Sequence, residues 1–237
     1  MRQIGQQYQT PIPLNLYNAA TLEGLTTQAA AGRFLRVLRD GERSPEGGTV
    51  KVQLLEDGYC GWISGEDWQR LTPVDKGYTP ATVTRAEIVG KIPGAIAFMD
   101  QAMAVPNRYL WGGTVAPDYD CSGLMQAAFA AMGVWLPRDS YQQEAWTQRV
   151  SREELEPGDL IFFSKDPQGR IDHVALFLGD DRYIHSSGYD QGRGGIAVDT
   201  LNPALLDKSG DAIAQIYASQ VRSFGRIVEN YQPDLDA

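Results

Sequence analysis

The sequence predicts two domains, a small β-barrel followed by a larger α+β domain with an antiparallel sheet. The first third of the chain has short stretches in which apolar and polar residues alternate, and it lacks helical periodicity, which favours a small barrel. Beyond it, helical periodicity comes first and a succession of strands follows, the order typical of an α+β domain. We place the domains at residues 1–80 and 81–237, because the apolar pattern changes between them.

Two alternating segments and a turn-rich loop predict the barrel. Residues 33–40 (RFLRVLRD) and 49–57 (TVKVQLLED) alternate apolar and polar side chains, and residues 41–48 (GERSPEGG) are rich in turn formers. Residues 58–64 (GYCGWIS) predict a further strand, with glycines where the backbone bends.

Two helices and five strands are predicted for the second domain. Apolar spacing predicts a helix over residues 92–105 with Pro93 in its first turn, and another from Cys121 to about Met132, ended by Gly133. The predicted strands are PGDLIFF, DHVALFLG, DRYIHSSG, GGIAVDT and SFGRIVE.

The composition is typical of a globular protein that does not bind polyanions. The 237 residues are 43% hydrophobic, and 30 acidic against 21 basic residues give a net charge of −9. This charge makes nucleic acid or an anionic membrane an unfavourable partner, and we infer no obligate protein partner. The sequence has neither an apolar run of membrane-spanning length nor the apolar segment of a secretory signal at its start, so we expect a cytoplasmic location.

Cys121 stands at the predicted start of the second helix, within PDYDCSGLMQAAF. Unpaired N–H groups in a first helical turn carry partial positive charge and favour a thiolate, so we expect a lowered pKa for this thiol. The other cysteine, Cys60, lies in a predicted strand, and we interpret it as a packing residue. A disulfide between the two is the less favoured alternative in a reducing cytoplasm.

The only two histidines of the chain, His173 and His185, lie in neighbouring predicted strands. A cysteine peptidase needs a thiolate, an imidazole that accepts its proton, and a third polar group that orients the imidazole. Cys121, His173 and His185 provide these in that order. One alternative is that both histidines are structural. Another is a zinc site, but the spacings CxxC, HxxxH and HExxH do not occur, so we predict neither metal nor cofactor.

The hairpin that carries the histidines imposes a condition on this triad. Side chains alternate between faces along a strand, and directly paired residues share a face. A two-residue turn at Asp180 and Asp181 without any irregularity would place His173 and His185 on opposite faces. The hypothesis therefore requires a three-residue loop or a bulge near residues 179–182.

Three motifs in order, YDCSGLMQAAF, EPGDLIFF and DHVALFLGDDRYIHSSG, resemble the NlpC family of papain-like cell-wall peptidases. The resemblance covers about residues 85–230, and LLEDGYCGWIS resembles a bacterial SH3-like (SH3b) domain. Together the two domains are similar to the γ-D-glutamyl-diamino acid endopeptidases of cyanobacteria and Bacillus. The resemblance implies a papain-like, NlpC-type catalytic domain behind a small SH3-like β-barrel, with Cys121, His173 and His185 as the triad.

The resemblance also implies four substrate-binding residues. They are Asp120 and Ser122 beside the nucleophile, Tyr109 in RYLWGG, and Tyr59 of the SH3-like domain. Backbone N–H groups at the helix start, including that of the nucleophile, would hold the oxyanion. Alternatively, Asp120 and Ser122 are helix caps and the tyrosines are packing residues. We expect Asp118 to be the cap, which leaves Asp120 for a ligand.

The activity that the resemblance implies is hydrolysis of the bond between the γ-carboxyl of D-glutamate and a diamino acid such as meso-diaminopimelate, in murein peptide recycling. We expect the substrate to have a free amino terminus, bound by Asp120, because acetylation would leave that carboxylate unpaired at a cost of about 2–5 kcal/mol. An amidase or acyltransferase with the same Cys–His residues, a general wall hydrolase, and an inactive cell-wall binding module are the alternatives.

Overall fold

The computed structural model describes residues 5–40, 48–202 and 211–235. The loop predicted at residues 41–48 lies outside these ranges except for Gly48. In the described ranges, no helix combines the length and the apolar character that crossing a membrane requires.

The chain divides into two compact units. Unit 1 comprises Met1–Ala81, Trp111–Val115 and Tyr231–Ala237, and unit 2 comprises Thr82–Leu110 and Ala116–Asn230. Two segments of the predicted second domain therefore belong to unit 1.

Unit 1 is built on a seven-stranded antiparallel sheet with the strand order β3-β2-β6-β5-β4-β1-β7. Its elements are β1 Gln7–Gln9, β2 Leu14–Tyr17, β3 Leu25–Ala29, β4 Phe34–Asp40, β5 Thr49–Leu54, β6 Cys60–Ser64, α1 Gly65–Arg70, β7 Thr72–Pro73 and β8 Thr114–Val115. Alternate residues of the strands, such as Leu14 and Leu16 on β2, form its core. The three strands predicted here are confirmed as β4, β5 and β6.

Unit 2 combines four helices with a six-stranded antiparallel sheet in the order β10-β15-β11-β12-β13-β14. Its elements are α2 Arg85–Met103, β9 Asp118–Tyr119, α3 Cys121–Ala131, α4 Ser140–Trp146, β10 Gln148–Val150, β11 Leu160–Phe163, β12 His173–Gly179, β13 Arg182–Ser187, β14 Gly195–Thr200, α5 Ala212–Gln220 and β15 Val221–Arg226. The α+β prediction and all five predicted strands are confirmed.

The central strands of this sheet are buried on both faces. Leu160 and Phe162 of β11 pack in the cluster that includes α2 and α3, whereas Ile161 and Phe163 pack on the opposite face. Because neither face of β11 contacts water, all four of its side chains are apolar, and apolar and polar residues do not alternate along it. His173 pairs directly with Phe163 and therefore shares its face.

Helix α2 begins earlier than the sequence analysis expected. Thr84 and Glu87 form a capping box, in which each side chain accepts a hydrogen bond from the other residue's backbone N–H. The helix therefore starts at Arg85, and Pro93 lies in its interior, so its assignment to the first turn is wrong. Pro93 cannot donate to the carbonyl of Val89, whose side chain lies on the exposed side of the helix.

The β12–β13 hairpin contains the irregularity that the histidine argument requires. Asp180 and Asp181, with φ of 52° and 57°, form a two-residue turn. The register of the two strands then shifts by one residue between Phe177 and Gly179. This bulge places both histidines on the same face of the sheet.

Gly158, in the PGDL segment, provides a test of this packing. Its φ is +96°, and a Cβ atom there would lie 2.6 Å from Cδ1 of Ile92, which is buried. We expect Gly158→Ala to lower the free energy of unfolding by about 2–4 kcal/mol, because left-handed backbone strain adds to overpacking. Urea denaturation followed by circular dichroism measures the change.

Gly90 provides the matched control. It lies inside α2, where an added Cβ would meet no heavy atom within 4 Å. Gly90→Ala should therefore raise the free energy of unfolding by about 0.5–1 kcal/mol. If Gly158→Ala raised the free energy of unfolding, as Gly90→Ala should, the left-handed conformation and close contact at Gly158 would be wrong.

Candidate active site

Cys121 is the first residue of α3, and Asp120 caps that helix. The Asp120 Oδ1 atom accepts a hydrogen bond from the backbone N–H of Gly123 at 2.7 Å. The expectation that Asp118 would be the cap is wrong, because its carboxylate instead accepts from the backbone N–H and the Nε of Arg108, both at 3.0 Å.

A buried arginine, Arg138, binds both residues that flank Cys121. Its Nη1 lies 3.1 Å from Asp120 Oδ1 and 3.0 Å from Ser122 Oγ, and its Nη2 lies 2.6 Å from Asp120 Oδ2. This two-point pairing with a carboxylate is a strong polar contact. The assumption that the Asp120 carboxylate has no partner before substrate binds is therefore wrong.

The environment of the thiol favours its protonated form. Cys121 is buried, and burial raises the pKa of its thiol to about 12, with a further contribution from the Asp120 carboxylate. The backbone N–H groups of Val174 and Ser122 and the charge of Arg138 act in the opposite direction. The expected lowering of the pKa is thus wrong, because loss of hydration outweighs the helix start.

The two histidines are in direct contact. His173 Nε2 lies 2.7 Å from His185 Nδ1, and both side chains are buried. Burial lowers the pKa of both imidazoles, and the pKa of His173 falls well below 6.5 because His185 also opposes its protonation. The N–H group beside the thiol belongs to Val174, the neighbour of His173, so the thiol lies beside the start of β12, where His173 stands.

Asp199 and Arg193 continue this chain of contacts. His185 Nε2 lies 2.8 Å from Asp199 Oδ2, and Arg193 Nε donates to the same oxygen at 2.9 Å while its Nη2 donates to Oδ1. Burial opposes ionisation of Asp199, but the hydrogen bonds from His185 and Arg193 hold the pKa of its carboxyl below the usual value. Arg193 Nη2 also donates to Asp211 Oδ2 at 2.6 Å.

Two tyrosines of unit 2 lie close to these residues. The ring of Tyr217, on α5, is centred 5.0 Å from His173 and 4.8 Å from His185. Tyr109 is held by its backbone N–H, which donates to the carbonyl of Gly194 at 2.9 Å. Burial, followed by the charges of Cys121 and Asp120, raises the pKa of the Tyr109 hydroxyl, so this side chain faces the nucleophile.

The two remaining residues singled out from the sequence, Tyr59 and Cys60, belong to unit 1. The Tyr59 hydroxyl lies 3.3 Å from Thr26 Oγ1, and its role in substrate binding stays a prediction. Cys60 is half-buried, and both cysteines of the chain are free thiols.

Four residues of the site were not found from the sequence: Arg138, Arg193, Asp199 and Tyr217. All four lie outside the motifs around the cysteine and the histidines, and nothing local distinguishes Arg138, Arg193 and Tyr217 from surface charges or core aromatics. For Asp199 a signal existed, since it interrupts the apolar residues of the predicted strand GGIAVDT. Within the described part of the chain, no cluster of three or more His, Cys, Asp or Glu side chains is arranged to hold a metal ion.

Comparison with known proteins finds two protein families that match parts of this sequence. Residues 106–208 match the NlpC/P60 family, and residues 16–67 match the bacterial dipeptidyl-peptidase SH3 domain. A solved structure of an NlpC/P60 family protein from Bacillus cereus aligns with a TM-score of 0.49 and 22% identity, over 94% of this chain and 64% of that one.

Two curated relatives carry the name gamma-D-glutamyl-L-lysine dipeptidyl-peptidase. The protein from Bacillus cereus is 42% identical over 79 residues, which is 33% of this chain and 24% of that protein. The protein from Bacillus subtilis is 32% identical over 111 residues, 46% of this chain and 36% of that protein. The matches thus span about a quarter to a third of the relatives' length. With both family matches, this chain carries an NlpC/P60 domain together with a bacterial SH3 domain.

Proposed function

We propose that this protein is a cysteine peptidase that hydrolyses γ-D-glutamyl–diamino acid bonds in murein peptides, in a recycling role in the cytoplasm. The observation that carries the proposal is the buried His173–His185 contact of 2.7 Å beside Cys121. The NlpC/P60 domain supports hydrolysis of peptidoglycan material, and the names of the two Bacillus relatives support the γ-D-glutamyl bond.

In this proposal His173 is the general base and acid. It accepts the proton of the Cys121 thiol while the sulfur attacks the substrate carbonyl carbon, and it then donates that proton to the leaving amine as the carbon–nitrogen bond breaks. A water then attacks the thioester carbon while His173 accepts its proton; the carbon–sulfur bond breaks, and His173 returns that proton to the Cys121 sulfur. The backbone N–H of Cys121, at the first position of α3, stabilises the oxyanion.

The charges near His173 support a diamino acid as the leaving group. Lys165 is close enough to His173 to lower its pKa, and the Lys165 Nζ atom lies 3.3 Å from Asp190 Oδ2. Both side chains are more than half exposed. A diamino acid carries a carboxylate and a second ammonium, and this exposed pair offers each of them an opposite charge.

We also propose that the substrate has a free amino terminus, but we expect a smaller preference for it than the sequence alone suggested. Tyr109 and Asp120 lie beside the nucleophile, where the amine would bind. Because Arg138 already pairs with the Asp120 carboxylate, acetylating the amine does not leave that carboxylate bare. The preference for a free amine then comes from one charge-assisted hydrogen bond to Asp120, a carboxylate that the amine shares with Arg138.

Two other activities would use the same residues. An amidase or acyltransferase forms the same thioester and differs in the bond attacked or in the nucleophile that resolves it. A general wall hydrolase would accept stem peptides still attached to the wall. Mass spectrometry of the products formed from a muropeptide mixture separates both from the proposed activity.

Replacement of Cys121 tests the assignment of the nucleophile. Cys121→Ala should lower kcat by more than about 1,000-fold, since covalent catalysis is lost, and should leave the fold intact. Cys60→Ala removes the other free thiol and should keep most of the activity. Hydrolysis by Cys121→Ala at a rate near that of the wild type would contradict the assignment.

The substrate proposal is tested with three peptides: L-alanyl-γ-D-glutamyl-diaminopimelate, its N-acetyl form and the corresponding muramyl tripeptide. We expect kcat/KM for the free tripeptide to exceed the other two by about 10-fold, the lower end for a charge-assisted hydrogen bond. Equal values for all three peptides would show that the protein is a general wall hydrolase.

The pH profile tests the protonation state of the resting site. His173 must be neutral to accept a proton, and its pKa lies well below 6.5, so kcat/KM should rise with pH below 6.5. A thiol with a pKa of about 12 keeps its proton, so we expect no decline between about pH 7 and 9. A fall in that interval would instead indicate a preformed thiolate–imidazolium pair.

A further inference from the structure

We propose that Asp199, held by Arg193, is a positioning residue that fixes which nitrogens of His173 and His185 carry protons. Its consequence for catalysis rests on the proposed function. The proton arrangement itself is a property of the resting protein and can be measured without substrate.

The argument starts from Asp199, the outermost acceptor. Its pKa lies below the usual value, so at neutral pH it is a carboxylate and can only accept hydrogen bonds. The Nε2 of His185, at 2.8 Å, must therefore carry a proton. In neutral His185 the Nδ1 atom is then an acceptor.

The same reasoning passes to the next imidazole. Because His185 Nδ1 accepts, the Nε2 of His173, at 2.7 Å, must be the donor of their contact. The neutral His173 ring then has its lone pair on Nδ1. That nitrogen is the only one left to accept the thiol proton. Asp199, which contacts His185 and not His173, therefore determines which nitrogen of His173 is the base.

Arg193 keeps Asp199 in the state that this chain needs. Its two donors on the carboxylate, together with its bond to Asp211, orient the carboxylate and keep it ionised. Asp211 is the N-cap of α5, the helix that carries Tyr217. The clamp thus also connects the carboxylate to the helix whose tyrosine packs on both imidazoles.

The charges around the histidines favour transient protonation of the pair. Next to His185, the two carboxylates of Asp199 and Asp211 face the single guanidinium of Arg193. This group of three side chains therefore has one net negative charge. Besides the Cys121 thiol, the titratable side chains near the imidazoles are Lys165, Tyr183, Arg193, Asp199 and Tyr217. Of these, Asp199 is the one that raises the pKa of His185, and the charge of Arg193 lowers it.

The buried side chain of Asp199 borders a cavity. This cavity of about 280 Å³ is lined by residues of β13, β14 and their surroundings, namely Arg182, Arg193, Ala197, Val198, Asp199, Thr200 and Asp211. A small carboxylate that entered this cavity would meet Arg193 where the Asp199 side chain had been removed. Chemical rescue is therefore feasible at this position.

The first experiment is ¹⁵N NMR of the wild-type protein labelled on histidine. The chain has two histidines, so each nitrogen signal can be assigned with one substitution. We expect both neutral rings to carry their proton on Nε2, with His173 Nδ1 unprotonated. A proton on Nδ1 of either neutral ring would overturn the proposal, whether or not the protein cleaves murein peptides.

The second experiment is Asp199→Ala, with Arg182→Met as the control. Asp199→Ala should lower kcat by about 10- to 1,000-fold, within the contribution of general base catalysis, with KM within about twofold. It should also give mixed histidine tautomers. Arg182→Met changes a charge at the same cavity without contact to the histidines and should alter neither. Unchanged kcat and tautomers in Asp199→Ala would overturn the proposal.

The pH profiles of two variants separate positioning from packing. The acid limb of kcat/KM should move to lower pH in Asp199→Ala, which loses an anion, and to higher pH in Arg193→Met, which loses a cation. Lower activity in both variants with an unmoved acid limb would assign these residues a packing role and overturn the proposal.

Chemical rescue completes the test. Formate added to Asp199→Ala should restore part of kcat and the Nε2-protonated tautomers, whereas sodium chloride of equal ionic strength should not. Formate should have no such effect on His185→Ala. If formate restored neither the rate nor the tautomers, the loss would be one of packing, and the positioning role would be wrong.

Discussion

The hydrogen bond between His173 and His185 is the interaction on which the site depends. It exists because a bulge in the β12–β13 hairpin brings the two side chains to one face of the sheet. Without that extra residue, His185 would lie on the opposite face of the sheet from His173. One irregular residue in the backbone therefore decides whether the imidazoles can exchange a proton.

Burial is the second constraint, and it changes the chemistry expected of the nucleophile. A helix start favours a thiolate, but Cys121 is enclosed, and its helix is capped by a carboxylate that Arg138 neutralises. The resting state is then a neutral thiol beside neutral imidazoles. In the proposed mechanism, charge separation occurs only with substrate bound, when the developing oxyanion and the imidazolium stabilise each other.

Much of this architecture was predictable because its signals are local. Strand alternation found β4 to β6, and Cys121 with Gly133 marked the limits of α3. The parity of the two histidine positions even predicted a bulge. The predicted start of α2 at Pro93 is wrong although the true signal is local: the capping box of Thr84 and Glu87 starts the helix at Arg85.

Most of the remaining site residues could not be predicted, because no local motif encodes their pairings. Arg138 pairs with Asp120, 18 residues earlier, and Arg193 pairs with Asp199 and Asp211. The strand register gives the face of Asp199, since it pairs with Tyr183, two residues from His185. That register is a property of the folded sheet and cannot be read from either strand alone.

The position of β14 in the sheet has a consequence for how the protein loses activity. Among the described strands, β14 is an edge strand that pairs with β13 alone, and it carries Asp199. Edge strands open by local fluctuations that cost less free energy than global unfolding. The proton arrangement of the histidines is therefore only as durable as the pairing of this edge strand, and warming should disturb the histidines before it unfolds the core.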